Sequence, residues 1–544
     1  MKKIVLITIL CCAFSLNAQF RLVKDIRNGT SSSLPISFFE YNGRLFFSAY
    51  DDESTPSKRH IYATDGTNAG TVNIRLNTPN TGDLAHNPYP EVGFYEFNSE
   101  LYFDVKEEIT WGLATVVKLN GNSNTTSEVY ALSIGTDDIN SRFINAVSLN
   151  NKIIFNPITA NGSRGGTEPY ILDLITPSNS GMLKNVFPTA ASSVPLDFTL
   201  FNNNIFFSAY GLESREIYKS DGTEAGTDLF YDINTDANGG STPDQFNILV
   251  NKLTFVATHN TLGRELFKTT GNTGNLTLIK DINTSGDSNP ASVTEIGGLL
   301  YFSADNGSVG QELWKSNGFN GSGTLLIKDI NASGDSNPSK FFQFGTDIFF
   351  VADDGTNGIE LWKTDGSNAG TMLVKNINSS GSSNPDYFTE YNGKLYFTAN
   401  DGVHGTELWV TDGTTVGTTM IELNTNGDAS VSSLIVFNNE LFFTADDGVS
   451  GKGNELWAYK DPALGINSFS LENQITLFPN PTKTHFEIQS KETIDKVEVY
   501  TILGQKLKSF TSENQYDISD LSKGVYVIKI QVKNTTISKH IMKE

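Results

Sequence analysis

Glu360-Leu-Trp-Lys-Thr-Asp-Gly-Ser-Asn-Ala-Gly-Thr371 is the clearest copy of a phrase that runs through the chain. It returns as Glu216-Ile-Tyr-Lys-Ser-Asp-Gly-Thr, Glu265-Leu-Phe-Lys-Thr-Thr-Gly, Glu312-Leu-Trp-Lys-Ser-Asn-Gly, Glu407-Leu-Trp-Val-Thr-Asp-Gly-Thr and Glu455-Leu-Trp-Ala. Successive glutamates lie 49, 47, 48, 47 and 48 residues apart. A fixed period of this length means one supersecondary unit copied many times.

Reading outward from Glu360 gives the unit. Ser339-Lys-Phe-Phe-Gln-Phe and Ile348-Phe-Phe-Val-Ala are strands joined by Gly345-Thr-Asp. Asp353-Asp-Gly-Thr-Asn-Gly turns the chain into the Glu360 strand, and Asp365-Gly-Ser-Asn-Ala-Gly turns it again into Thr371-Met-Leu-Val-Lys-Asn-Ile. Gly, Asn and Asp tolerate the positive φ of tight turns, and aromatic or β-branched residues fill the strands. Leu313 and Trp314 are neighbours on one strand and therefore face opposite ways, as do Tyr301 and Phe302. Both faces of the sheet are thus apolar, which calls for four-stranded sheets packed side by side, as in a propeller.

The ends of the array favour a ring over a linear stack. Arg21-Leu-Val-Lys-Asp-Ile stands before the first full unit and matches the fourth strands Leu325-Leu-Ile-Lys-Asp-Ile and Leu278-Ile-Lys-Asp-Ile. The last unit stops after Glu455-Leu-Trp-Ala-Tyr-Lys and lacks a fourth strand. Residues 21–26 are therefore expected to pair with 455–460 and remove both open edges. Degenerate copies at His60, Thr115 and Glu168 bring the count to nine blades. The alternative is eight, with 80–165 as one blade plus an insertion.

These units resemble the Glu-Leu-Trp-x-x-Asp-Gly-Thr repeat family of secreted bacterial proteins over most of residues 21–460, closely in the later copies and poorly between 80 and 165. The resemblance implies little about activity.

The N-terminus reads as a leader, residues 1–18. Lys2 and Lys3 precede an apolar run from Ile4 to Phe14, too short to span a bilayer, and cleavage is expected between Ala18 and Gln19. The two cysteines, Cys11 and Cys12, leave with it, so the mature chain has no disulfide or thiolate chemistry. No later run is apolar enough for a transmembrane helix. The net charge is −22. It resides in the repeats: residues 465–544 hold ten lysines against nine acids, whereas the remainder beyond Lys3 holds 27 basic and 52 acidic residues. Nucleic acid is therefore not an expected partner.

After the repeats (19–460) and a linker (461–474), residues 475–544 change character. Alternating strands at short spacing predict a small antiparallel, Ig-like β-sandwich. The ordered set Phe478-Pro479-Asn480-Pro481, Val499-Tyr, Gly504-Gln, Leu521, Lys523-Gly524-Val-Tyr526 and Lys539 to Lys543 resembles the C-terminal sorting domain of type IX secretion in Bacteroidota. That resemblance implies the type IX machinery as a partner. It further implies periplasmic transit, then release or attachment at the outer surface.

Chemistry is harder to find. The recurring Glu is present in nearly every copy, whereas catalysis needs one constellation, so a structural role is expected. The Asp of Asp221, Asp365 and Asp412 is expected to bond its own turn. The loops holding Asp281, Asp287 and Asn289, and Asp329, Asp335 and Asn337, are rich in hard oxygen donors and are the candidates for calcium, the one cofactor considered; no Glu closes them as in an EF-hand. His60, His86, His259 and His404 show no metal-ligand spacing, no helix follows the Gly-rich turns to bind phosphate, and no Gly-x-Ser-x-Gly elbow is present. The expectation is a secreted or surface-bound scaffold for adhesion or for binding a glycan or protein, without enzymatic activity. The alternative is an extracellular polysaccharide hydrolase with its site in the channel.

Overall fold

A computed structural model describes residues 20–462 and 476–544, less 52–58, 76–92, 107–112, 134–138, 160–167, 189–191, 213, 237–238, 491–493, 502–505, 512, 514 and 533–534. The described chain is all-β apart from one 3-10 turn at Pro177–Asn179. It forms two compact units that part between Tyr459 and Lys460.

The first unit contains nine four-stranded antiparallel sheets among the described residues. We number them in chain order: sheet 1 (36–73), sheet 2 (94–133), sheet 3 (139–182), sheet 4 (196–231), sheet 5 (244–280), sheet 6 (291–328), sheet 7 (339–375), sheet 8 (386–421) and sheet 9 (432–459). The stretch that resists the repeat pattern, 80–165, contributes to two separate sheets, 2 and 3.

Sheet 9 has only three strands of its own. Its fourth is Phe20–Lys24, which runs antiparallel to Glu455–Tyr459 with Phe20 opposite Tyr459 and Leu22 opposite Trp457. The expected pairing of the first strand with the last is therefore present, over 20–24 and 455–459 rather than 21–26 and 455–460. The first strand of each sheet lies against the first strand of the next, and that of sheet 9 lies against that of sheet 1, so the cycle closes on itself.

Strand alternation explains the packing. In sheet 7, Ile348, Phe350, Ala352 and Trp362 join Tyr301, Leu313 and Ile327 of sheet 6 in one core. The intervening Phe349 and Leu361 join Leu395, Phe397, Ala399 and Trp409 of sheet 8 in the next. Each sheet thus buries both faces, and the second strand of sheet 7 is buried at all five central positions. At the seam, Val23 and Ile26 join Leu45 and Phe47 of sheet 1 and Leu456 of sheet 9. Each such side chain contributes on the order of 1.5–3 kcal/mol.

The second unit has a four-stranded sheet (Lys506–Thr511, Lys496–Thr501, Gly524–Val532, Thr535–Lys543, in spatial order) and a three-stranded one (Thr476–Phe478, His485–Gln489, Tyr516–Asp517). They share a core in which Phe486 and Tyr516 meet Val497, Val499, Ile528 and Ile530.

Candidate functional site

The repeated glutamate opens the third strand of its sheet. Glu265, Glu312, Glu360, Glu407 and Glu455 are fully buried, and Glu168 and Glu216 nearly so. A carboxylate there needs partners, because an unpaired buried charge is costly. In sheet 7, Glu360 Oε2 accepts the Ile377 amide at 2.9 Å and the Ser383 hydroxyl at 2.6 Å, while Oε1 accepts the Ser383 amide at 3.2 Å. Glu312 does the same with Ile330 and Ser336, Glu265 with Ile282 and Ser288, and Glu216 with Ile233 and Ser241. In sheet 8 the serine is replaced by Ala429, and only amides remain. Each carboxylate therefore staples the end of the fourth strand to the loop leading into the next sheet. Burial pushes all seven carboxyls upward, and Glu265, Glu407 and Glu455 reach about 7 despite the opposing hydrogen bonds. The serine partner escaped the sequence reading, although a signal existed. Ser-x-Pro recurs at Ser33, Ser193, Ser241, Ser288, Ser336 and Ser383 with the same period as the glutamate.

Lysines join one sheet to the next. The third-strand Lys315 donates to the Gly366 carbonyl of sheet 7 at 2.7 Å, and the fourth-strand Lys328 donates to the Thr371 carbonyl at 2.9 Å. Lys219, Lys280 and Lys375 make the corresponding bonds elsewhere. The Asp-Gly turns bond internally, as expected. Asp365 Oδ1 accepts the Ser367 amide at 2.8 Å, Asp221 and Asp412 do likewise with Thr223 and Thr414, and these bonds hold Asp365 and Asp412 below the usual carboxyl range.

The oxygen-rich loops bond to the backbone at the start of the third strand of the preceding sheet. Asp287 Oδ1 accepts the Arg264 amide and Asp335 Oδ1 the Gln311 amide, both at 2.8 Å. Asn289 and Asn337 occupy the left-handed region, at φ 45° and 47°. Asp281 and Asp329 lie close enough to Glu265 and Glu312 to push those carboxyls up. Among the described residues, no group of three or more His, Cys, Asp or Glu side chains is placed to hold a metal ion.

The ring at the boundary between sheets varies from copy to copy. Between sheets 5 and 6, and between sheets 7 and 8, the fourth-strand lysine sits over an indole: Lys280 is 5.4 Å from the Trp314 ring and Lys375 is 5.9 Å from that of Trp409. Between sheets 3 and 4 the indole is replaced by Tyr218, and a cleft of about 490 Å³ opens, lined by Lys184, Val186, Leu212, Tyr218, Asp228 and Leu229 among others. Lys184 donates to the Thr227 carbonyl and, at 3.3 Å, to Asp228. Tyr218 is buried, and its hydroxyl fits against Gly211, where a Cβ would lie 2.2 Å away. Burial and the Glu216 charge push its phenol up to about 12. Leu212 is 69% exposed and Leu229 47%. The cleft has an aliphatic wall, an aromatic floor and one ammonium–carboxylate pair at its edge, a composition suited to ligand binding.

In the second unit, Asn480 Oδ1 accepts the Met542 amide at 2.9 Å, and the Thr482 amide donates to the Met542 carbonyl at 2.8 Å. The Pro479-Asn480-Pro481 segment thus clasps the C-terminal strand; both of its Xaa–Pro bonds are cis. Tyr526 is buried, donates to the Ser522 carbonyl at 2.7 Å, and lies two residues after Gly524. Gly504, Ala18, Gln19 and most of the 461–474 linker lie outside the described residues.

Residues 476–544 match the Secretion system C-terminal sorting domain. The chain therefore carries a type IX sorting domain and is marked for export by that system. The Asn480 clasp and the Tyr526 bond belong to this sorting domain. No helix among the described residues is long and apolar enough to cross a membrane.

No curated protein matches the chain in sequence. Among solved structures, it is similar to a Mycobacterium tuberculosis puromycin-hydrolyzing peptidase (11% identity, 65% of this chain and 58% of that one, TM-score 0.35). It is likewise similar to a prolyl endopeptidase (14% identity, 71% and 55%, TM-score 0.35). A third is the β-propeller domain of the Trilobed protease from Pyrococcus furiosus (11% identity, 60% and 97%, TM-score 0.32). The chain spans somewhat more than half the length of the two peptidases.

Proposed function

We propose that the chain is a β-propeller of nine four-stranded blades, closed by its N-terminal strand and followed by an Ig-like sorting module. It serves at the cell surface, or after release, as a scaffold that binds an extracellular glycan or protein. The cleft between sheets 3 and 4 carries this reading. The repeated glutamates, lysines and turn aspartates are engaged in holding the sheets together, so binding chemistry falls to positions where the copies differ. Leu212 is such a position, and so is Tyr218, which stands where the later copies have Trp; they meet at one cleft.

A glycan array probed with the mature full-length protein tests this reading. Retention of a ligand by the parent and its loss in Leu212→Asp, an exposed change that leaves the core intact, is the expected result. Retention undiminished in that variant would remove the cleft from the reading.

A further inference from the structure

A second departure from the repeat pattern sits where sheet 5 meets sheet 6. The turn between the first two strands carries Asn42, Asn202, Gly297, Gly345, Asn392 or Asn438 in other sheets, residues that accept the left-handed region. In sheet 5 that place is taken by Val250, at φ 59° and 80% exposed. A β-branched residue in this region is strained, and such strain persists where something else requires it.

At the same boundary, Phe319 occupies the third turn of sheet 6. The sister turns have Thr67, Thr223, Ser367 and Thr414 there, and each hydroxyl accepts an amide of its own turn. Phe319 makes no such bond and is 65% exposed. Its loop is nonetheless pinned: Lys268 Nζ donates to the Gly318 carbonyl at 2.5 Å, the Gly321 amide to the Ile279 carbonyl at 2.9 Å, and the Phe319 amide to Asn317 Oδ1 at 3.0 Å. The ring is thus presented by a rigid loop, which lowers the entropy lost on binding.

Lys252 sits with its ammonium 5.6 Å from the Phe319 ring centroid. Among the described residues it has no carboxylate partner, in a unit where acids outnumber bases nearly two to one. Burial, and then the Lys252 charge, hold the neighbouring Lys268 ammonium below its usual range, which marks a local positive potential.

We propose that Phe319 and Lys252 form a binding site for an acidic saccharide, whose C–H face stacks beside the ring while its carboxylate pairs with the ammonium. A dense polyanion such as a nucleic acid would meet the repulsion of the rest of the unit. A sugar acid presents one carboxylate per ring to one cation. The site lies on sheets 5 and 6 and the cleft on sheets 3 and 4, so either reading can fail without the other.

Calorimetric titration of the full-length protein with a galactopentaose ending in a single galacturonate, the neutral galactopentaose and hexaglutamate tests it. The uronate is expected to bind, and Phe319→Ala and Lys252→Gln are each expected to weaken it about tenfold, the loss of one anchoring contact. Unchanged thermal unfolding of both surface variants shows that the fold is kept. Absence of uronate binding, binding unaltered in Phe319→Ala, or equally tight binding of hexaglutamate or of the neutral sugar would each overturn the proposal.

Discussion

Glu455 Oε2 accepts the hydroxyl of Ser33 at 2.6 Å, a bond between residues 422 positions apart in the chain. The same carboxylate takes the amides of Ile26 at 2.9 Å and Ser33 at 3.1 Å. In sheets 4 to 7 the equivalent bonds span 17 to 25 residues. Sheet 9 therefore uses the ordinary staple of the repeat to fasten the two ends of the ring.

Removing this staple should open the ring at the seam. Glu455→Ala leaves the buried Ile26 amide without its carboxylate, a loss of about 1–3 kcal/mol. Amide exchange over 20–24 should rise more than exchange in sheet 7, and Glu360→Ala should show the reverse order. Equal exchange in both places would count against a special role for the seam.

The buried carboxyls also make stability depend on pH. Their folded pKa lies above the unfolded value, so the folded state holds more protons between about 4.5 and 7. Their contribution is complete below the unfolded pKa and is lost as pH rises through about 7. A triple variant Glu265→Gln, Glu407→Gln, Glu455→Gln should therefore lose less stability than the parent between pH 5 and pH 8, in urea titrations run at each pH. A parallel pH dependence in the two proteins would refute the assignment.

Gly370 is fixed by its neighbour. A Cβ there would lie 2.1 Å from Asp365 Oδ1, whereas a Cβ on Gly427 meets nothing within 4 Å. Gly370→Ala should cost about 1–3 kcal/mol, and Asp365→Ala in the same chain should recover part of it. Gly427→Ala is the control and should leave the unfolding midpoint nearly unchanged.

Lys315 and Lys328 both tie sheet 6 to sheet 7. Changing either to Met keeps the apolar stem but orphans a carbonyl, at about 1 kcal/mol each. The measurement is chemical denaturation of the single and double variants. A double variant no weaker than either single would mean the two bonds are not independent ties.

Asn480 clasps the C-terminal strand of the sorting domain. Asn480→Ala should raise amide exchange at Met542 and reduce export, and deletion of residues 476–544 should leave the protein in the periplasm. Surface display of the truncated chain at the parental level would be incompatible with a sorting role.

The architecture was legible because its causes are local. Asp365-Gly366 and its sisters dictate turns, Phe349 and Phe350 dictate two buried faces, and the lone fourth-strand motif at Arg21 points to the strand that lacks a partner. Glu360 was readable as structural from its recurrence alone. Its partner Ser383 recurs as well, in Ser-x-Pro, but the sequence does not say that this serine lies under the buried carboxylate; only the fold brings the two together. The oxygen-rich loops around Asp287 and Asp335 suggested a cation, and the sequence did not show that their carboxylates accept the Arg264 and Gln311 amides, each on a strand more than twenty residues upstream. The cleft was out of reach for the same reason. Tyr218 in place of Trp is a small change on paper, and the cleft shows only when the fold sets it beside Gly211 and Leu212 of the preceding turn.

Strand Glu455–Tyr459 is flanked on both sides, by Glu440–Ala445 and by Phe20–Lys24, and its last residue sits opposite Phe20. The second unit begins at the next residue, Lys460. Tension transmitted through residue 460 meets the Tyr459 pairings first and peels them one at a time, because the strand is loaded from its end. The tether and the lock of the ring are the same five residues, so a pull on the tail unzips the closure before it disturbs any other sheet.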